Sequence, residues 1–143
     1  LLIVGYGANK IKMKNFILQN KISENVKIIN FQKNPYKFLK KSNLFILTSL
    51  YEGLPNVLLE AMVLKKFIIS SNCPTGPREI LKNGKLGMLF KIRDKKDLSN
   101  KILNFNNNIK TNNKITYRAY KSLSRFDYKS NCEEYFKTVK EFI

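Results

Sequence analysis

Leu44-Phe45-Ile46-Leu47-Thr48 runs into Ser49-Leu50-Tyr51-Glu52-Gly53-Leu54-Pro55, and then into Asn56-Val57-Leu58-Leu59-Glu60-Ala61-Met62. The first segment is apolar until its last residue, the pattern of a short strand buried on both faces in a parallel sheet. Pro55 stands where a helix can begin, and Val57, Leu58, Ala61 and Met62 recur on one helical face, so 55–65 reads as a helix. Strand, turn and helix in that order put the turn at the carboxyl end of a strand, where open parallel sheets bind ligands. Gly53 allows close backbone approach, and the N–H groups near Asn56 and Val57 form a cradle for an anion such as phosphate. Glu60 follows Glu52 by eight residues. Facing back toward the strand ends, its carboxylate suits a vicinal diol such as that of ribose, accepting both hydroxyl hydrogens. Glu52, at the tip beside the cradle, would meet whatever is esterified to the phosphate. Taken singly, either glutamate fits a plainer role, because the helix dipole favours Glu in a first turn and helical Glu is usually solvated.

Outward from this stretch, strand and helix keep alternating. Leu1 to Val4 is a strand closed by Gly5-Tyr6-Gly7, 10–22 a helix, Val26 to Phe31 a strand, and Asn34-Pro35 a helix start with Asn as N-cap. After the central helix, Phe67 to Ser71 reads as a strand, Pro77 to Lys82 as a short helix, Gly87 to Phe90 as a last strand and 95–105 as a helix. The expected fold is therefore α/β, a Rossmann-like parallel sheet with helices on both faces. The Asn-rich segment 104–114 reads as a loop or frayed linker. In 128–143, Cys132, Tyr135, Phe136, Val139, Phe142 and Ile143 fall at helical spacing and predict an amphipathic helix that packs against something. Because Leu1 already lies inside a strand pattern, the expectation is of a fragment whose N-terminal part is missing.

Composition narrows the chemistry. The 143 residues suffice for one ordinary domain and are too few for a complete two-domain enzyme. Histidine is absent, which excludes His triads and His-based zinc sites. Two distant cysteines, Cys73 and Cys132, offer neither a CxxC pair nor a disulfide framework, and a reducing cytoplasm fits them best. No apolar run approaches the ~20 residues of a membrane span. The net charge is +17, but 23 Lys, 18 Asn and 15 Ile indicate a codon bias, and four Arg among 27 basic residues argue against a nucleic-acid partner.

Glu52-Gly-Leu-Pro-Asn-Val-Leu-Leu-Glu60-Ala-Met resembles the E-x7-E signature of the retaining GT-B glycosyltransferases grouped as family 4. Gly5-Tyr6-Gly7 is similar to that family's GxG turn. Asn34-Pro35-Tyr36 with Leu39, and Pro74-Thr-Gly-Pro-Arg-Glu79-Ile-Leu with Gly84 and Gly87-Met-Leu, resemble its later segments. The resemblance implies one half of a GT-B fold lacking its first strand-helix unit, with residues 1–125 as a donor-binding domain and 126–143 as its C-terminal amphipathic helix. It implies that Glu60 holds the nucleotide ribose, that Glu52, as catalytic residue, contacts donor-sugar hydroxyls, and that Gly53, Leu54, Asn56 and Val57 hold the diphosphate. Phe31 and Gln32 would lie against the base. The implied reaction transfers a sugar from a nucleoside diphosphate sugar, UDP above all, to an acceptor hydroxyl with retention, without metal or other cofactor. Surface polysaccharide, lipopolysaccharide or glycolipid synthesis is the implied setting, with a glycan or lipid-linked acceptor held by a missing N-terminal domain. The location would be cytoplasmic, with peripheral attachment to the inner face of the membrane.

The family's Arg and Lys that clamp the diphosphate would lie upstream of Leu1; Lys10 is either a substitute or a solvated residue. Asn30 stands where the family shows Gly and tolerates left-handed geometry. Arg78-Glu79 reads as a catalytic pair, a helix-start salt bridge or a structural contact. A dinucleotide-binding domain is a rival suggested by Gly5-Tyr6-Gly7, but Lys10 occupies the place of the third glycine and no acidic residue closes the second strand. The remaining alternative is a non-catalytic basic α/β module that binds nucleotide or anionic surfaces.

Overall fold

A computed structural model describes residues 1–142; Ile143, assigned above to the last helix, lies outside the described residues. The chain divides into two compact units, Leu1–Phe38 and a second from Leu39 onward. In the first unit β1 (Leu2–Val4) and β2 (Lys27–Ile29) pair in parallel with Ile3 opposite Ile28, and α1 (Lys10–Gln19) connects them. Gly5 has φ +142°, a backbone conformation L side chains rarely adopt, and its N–H extends the ladder to the Ile29 carbonyl at 3.0 Å. The helix stops before the expected Ile22, because Lys21 turns left-handed at φ 54° and the Ile22 N–H folds back to the Ile17 carbonyl. Lys10 is half-buried and its ammonium donates to Asn30 Oδ1, so it is tethered rather than solvated. Asn30 is not among the left-handed residues.

The capping expectation for Asn34 holds: its Oδ1 accepts the Tyr36 N–H at 3.1 Å and α2 (Tyr36–Lys41) follows. Thereafter come β3 (Leu44–Leu47), α3 (Asn56–Val63), β4 (Phe67–Ser71), α4 (Gly76–Ile80) and β5 (Met88–Phe90). A longer helical run of α5 (Lys95–Asn107), α6 (Ile109–Lys121), a 3-10 turn (Ser122–Phe126) and α7 (Tyr128–Lys140) completes the chain.

The strands of the second unit pair in the order β3-β4-β5, all parallel, with β4 central and buried along its whole length. Alternation along β4 sends its side chains to opposite faces. Ile68 joins Leu58, Ala61 and Met62 of α3 and Ile80 of α4 in one cluster. Phe67 and Ile69 join Phe90 and, from α5 and α6, Leu98, Ile102, Phe105 and Ile115 in another. The sheet thus carries helices on both faces, as expected. Each fully buried aliphatic or aromatic side chain contributes about 1.5–3 kcal/mol relative to exposure, so these two clusters hold the second unit.

One expectation needs correction. Residues 104–114 are helical, interrupted only at Asn108, and not a linker. Asparagines make the junction: Asn108 Nδ2 donates to the Asn104 carbonyl at 2.9 Å and buried Asn112 donates to the Phe105 carbonyl at 2.6 Å. Helix α7 forms, with Asp127 accepting the Ser130 N–H at 3.0 Å; along its apolar stripe Cys132 and Val139 are half-buried, while Tyr135 is 68% and Phe136 64% exposed.

Candidate functional site

Strands β3 and β4 are parallel neighbours, so their carboxyl ends and following loops emerge at the same edge of the sheet. Three hydrogen bonds tie these loops together. The Glu52 N–H donates to the Pro74 carbonyl at 2.9 Å, the Thr75 N–H to the Glu52 carbonyl at 2.8 Å, and the buried Ser71 hydroxyl to the Ser49 carbonyl at 2.6 Å. Glu52 therefore sits on a fixed backbone although it lies in a loop. Its side chain is held as well, since the Ser49 hydroxyl donates to Oε1 at 2.6 Å. An open depression of about 450 Å³ borders it, lined by Tyr51, Glu52, Gly53, Pro74 and Thr75.

Helix α3 starts behind a buried Pro55 in extended conformation, which restricts φ and leaves no side-chain cap. Leu58 N–H turns back to the Pro55 carbonyl at 2.9 Å. The N–H groups of Asn56 and Val57 precede any i−4 carbonyl of the helix, and both residues are exposed. This is an uncapped, solvent-facing helix start of the kind that receives an anion. Leu54 is exposed beside it.

Gly53 is placed differently from the other glycine of this region. An ideal β-carbon on Gly53 would meet nothing within 4 Å, whereas one on Gly76 would lie 2.0 Å from the Gly53 carbonyl oxygen and 2.6 Å from Pro55 Cδ. Gly76 lets α4 press against the Gly53–Pro55 turn, and Gly53 keeps the space above that turn open.

Glu60 lies on α3 one turn after Asn56, half-buried, and among the described residues its carboxylate accepts no hydrogen bond and forms no ion pair. Leu58, Ala61 and Met62 face the core, which fixes the rotation of the helix and hence the side on which Glu60 stands. Glu52, Gly53, Leu54, Asn56, Val57 and Glu60 thus occupy one turn and the helix that follows it. Phe31 and Gln32 belong to the first unit, where Phe31 is 64% exposed and meets Tyr6 edge to face at 6.4 Å. Gln32 Nε2 donates to the carbonyls of Asn30 and Phe31 at 3.3 and 3.2 Å.

Arg78 and Glu79 form no ion pair; Arg78 Nε donates to Asn72 Oδ1 at 3.0 Å, which is the structural contact among the three readings. Arg78, Glu79, Lys82, Asn83 and Lys85 line a second open depression of about 520 Å³ that shares Thr75 with the first. The sequence reading missed Ser49, Ser71 and Thr75. Among the described residues no group of His, Cys, Asp and Glu could hold a metal ion, and no helix is long and apolar enough to cross a membrane.

Comparison with known proteins adds the family. A family model described as glycosyl transferases group 1 matches residues 1–122. The chain belongs to that family. An uncharacterized glycosyltransferase of Methanocaldococcus jannaschii is 49% identical over 81 residues, covering 57% of this chain and 20% of that protein. A poly(ribitol-phosphate) alpha-N-acetylglucosaminyltransferase of Staphylococcus aureus is 30% identical over 106 residues, covering 74% of this chain and 22% of that one. Among solved structures, a mutant of S. aureus TarM in complex with Fondaparinux, alpha-GlcNAc-glycerol and UDP superposes with a TM-score of 0.86 at 26% identity, covering 95% of this chain and 28% of TarM. The chain spans about a fifth of the length of the curated relatives it matches. The parallel α/β architecture and the family agree in making this chain similar to one domain of GT-B glycosyltransferases.

Proposed function

We propose that this chain is the donor-binding part of a retaining glycosyltransferase of the family-4, E-x7-E kind, which transfers a sugar from a nucleoside diphosphate sugar to an acceptor hydroxyl. The observation that carries this reading is the pair of half-buried glutamates on either side of an uncapped helix start, one fixed by Ser49 and one with no partner among the described residues. In it the N–H groups of Asn56 and Val57, with the turn at Gly53 and Leu54, hold the diphosphate, and Glu60 accepts the ribose hydroxyls. Glu52 meets hydroxyls of the donor sugar. UDP is the nucleotide of choice, supported by the presence of UDP in the TarM complex at 26% identity. The residues read as donor-binding are 1–125, with 126–143 as the C-terminal helix. No metal or other cofactor takes part, because the diphosphate charge is met by the backbone dipoles of the helix start.

The activity of the whole protein belongs to surface polysaccharide, lipopolysaccharide or glycolipid synthesis, at the cytoplasmic side and peripherally attached to the membrane, with the glycan or lipid-linked acceptor held by another domain. The S. aureus polymer-modifying relative supports that setting.

Two substitutions test the assignment of roles. Glu60→Gln replaces a charged acceptor by an amide, and the lost charge-assisted hydrogen bonds should weaken UDP binding by about 1.5–3 kcal/mol, roughly ten- to a hundredfold. Glu52→Gln should leave UDP affinity within about twofold. Titration calorimetry of both variants with UDP decides it, and equal losses, or a larger loss for Glu52→Gln, would place the two glutamates the wrong way round.

A further inference from the structure

Glu52 is the one candidate site residue whose backbone and side chain are both held by neighbours. Its N–H and C=O are pinned to Pro74 and Thr75, and its Oε1 accepts from the Ser49 hydroxyl at 2.6 Å. Ser49 is in turn anchored through its own carbonyl, which accepts from the buried Ser71 hydroxyl at 2.6 Å. Ser71 ends the central strand of the sheet and is 1% exposed, so the anchor is as rigid as the core. With Oε1 engaged, Oε2 accepts nothing among the described residues, and the depression bordered by Tyr51, Gly53, Pro74 and Thr75 lies alongside Glu52.

We propose that Ser49, seated on Ser71, is a positioning residue that orients the Glu52 carboxylate toward the sugar portion of the donor. A carboxylate free to rotate must lose that freedom when it takes up a hydroxyl. One already held by an internal donor has less to lose and presents its free oxygen in one direction. Ser49 does not touch the ligand; it acts through Glu52. The proposal rests on the reading of Glu52 as the residue that meets the donor sugar.

The consequence is selective. Ser49 is remote in role from the diphosphate and ribose contacts, so its hydroxyl should matter for the extra affinity a sugar gives over the bare nucleotide. The test titrates this chain calorimetrically with UDP and with UDP-glucose, UDP-galactose and UDP-N-acetylglucosamine. The quantity read is the ratio of the tightest nucleotide-sugar affinity to the UDP affinity. Ser49→Ala should leave UDP affinity and the melting temperature unchanged and lower that ratio about five- to tenfold, within the range of one ordinary intramolecular hydrogen bond. Ser49→Thr, which retains the hydroxyl, should restore it. Glu52→Gln separates the two ideas. If it lowers the ratio while Ser49→Ala does not, the positioning role is wrong and the reading of Glu52 stands. If Glu52→Gln leaves the ratio intact, or the unmodified chain shows no gain from any sugar, the reading of Glu52 falls and the proposal with it. A parallel loss of UDP affinity and melting temperature in Ser49→Ala would make Ser49 a structural residue of the loop and overturn the proposal.

Discussion

Gly76 and Gly53 lie against the same turn and carry opposite constraints. At Gly76 a methyl group would overlap the Gly53 carbonyl and the Pro55 ring, and neither is the far end of a flexible side chain that could swing away. Gly76→Ala should therefore displace the turn, costing about 1–3 kcal/mol of stability as an overpacked site and weakening UDP binding as well. At Gly53 the methyl group meets only open space. Gly53→Ala should keep stability within about 0.5 kcal/mol of the unmodified chain while lowering UDP affinity, because on the proposed reading the space it fills is where the diphosphate approaches. Thermal melting and UDP titration of both variants check the contrast. At this scale the sequence singled out candidate ligand residues and was silent about what supports them. Glu52, Gly53, Asn56 and Glu60 stand out because their types and spacing are unusual for a plain strand-turn-helix unit. Ser71, at the end of β4, and Gly76, at the start of α4, support them from some twenty residues further on, and only the pairing of β3 with β4 shows that these segments meet.

Among the elements, strands and short helices of the second unit fall close to their expected places, because each apolar run is bounded by Gly, Pro or Asn and is too short for much else. The failure at 104–114 has a local cause. Asparagine is a weak helix former when its side chain competes for the backbone, yet here Asn108 and Asn112 spend their amides on the carbonyls of Asn104 and Phe105 in the last turn of α5, so the run closes one helix and opens the next. Helix α7 illustrates a second device of this kind. Asp127 caps it through the Ser130 N–H and hydroxyl, and these hydrogen bonds hold its carboxyl below the usual carboxylate range. A carboxyl whose folded pKa is depressed contributes stability above its unfolded pKa, and that contribution is lost as the pH falls through the folded value. Acidification below the ordinary carboxylate range should accordingly fray the first turn of α7, and Asp127→Asn, which accepts the same bonds without titrating, should remove the pH dependence. Amide exchange at Ser130 and Asn131 followed against pH would register both effects.

For the molecule as a whole, the excess of positive charge is spread over many exposed lysines, and the one ion pair among the described residues joins Lys101 to Asp97 at 3.8 Å across a helical turn. Scattered lysine of this sort screens readily with salt and does not by itself specify a partner. What defines the molecule is the candidate site at the carboxyl edge of β3 and β4, carried by a chain that spans about a fifth to a quarter of the length of its curated relatives. On the proposed reading the acceptor is held by another domain, so this chain alone should release sugar from a donor far more slowly than a protein that contains both, a difference that coupled detection of nucleoside diphosphate release would measure. The most direct measurement of the central claim is titration of this 143-residue chain with UDP in the presence of EDTA. The account predicts saturable binding that Glu60→Gln weakens and that magnesium or manganese leaves unchanged. Binding that appears only when the divalent ion is added, or that is indifferent to Glu60, would contradict it.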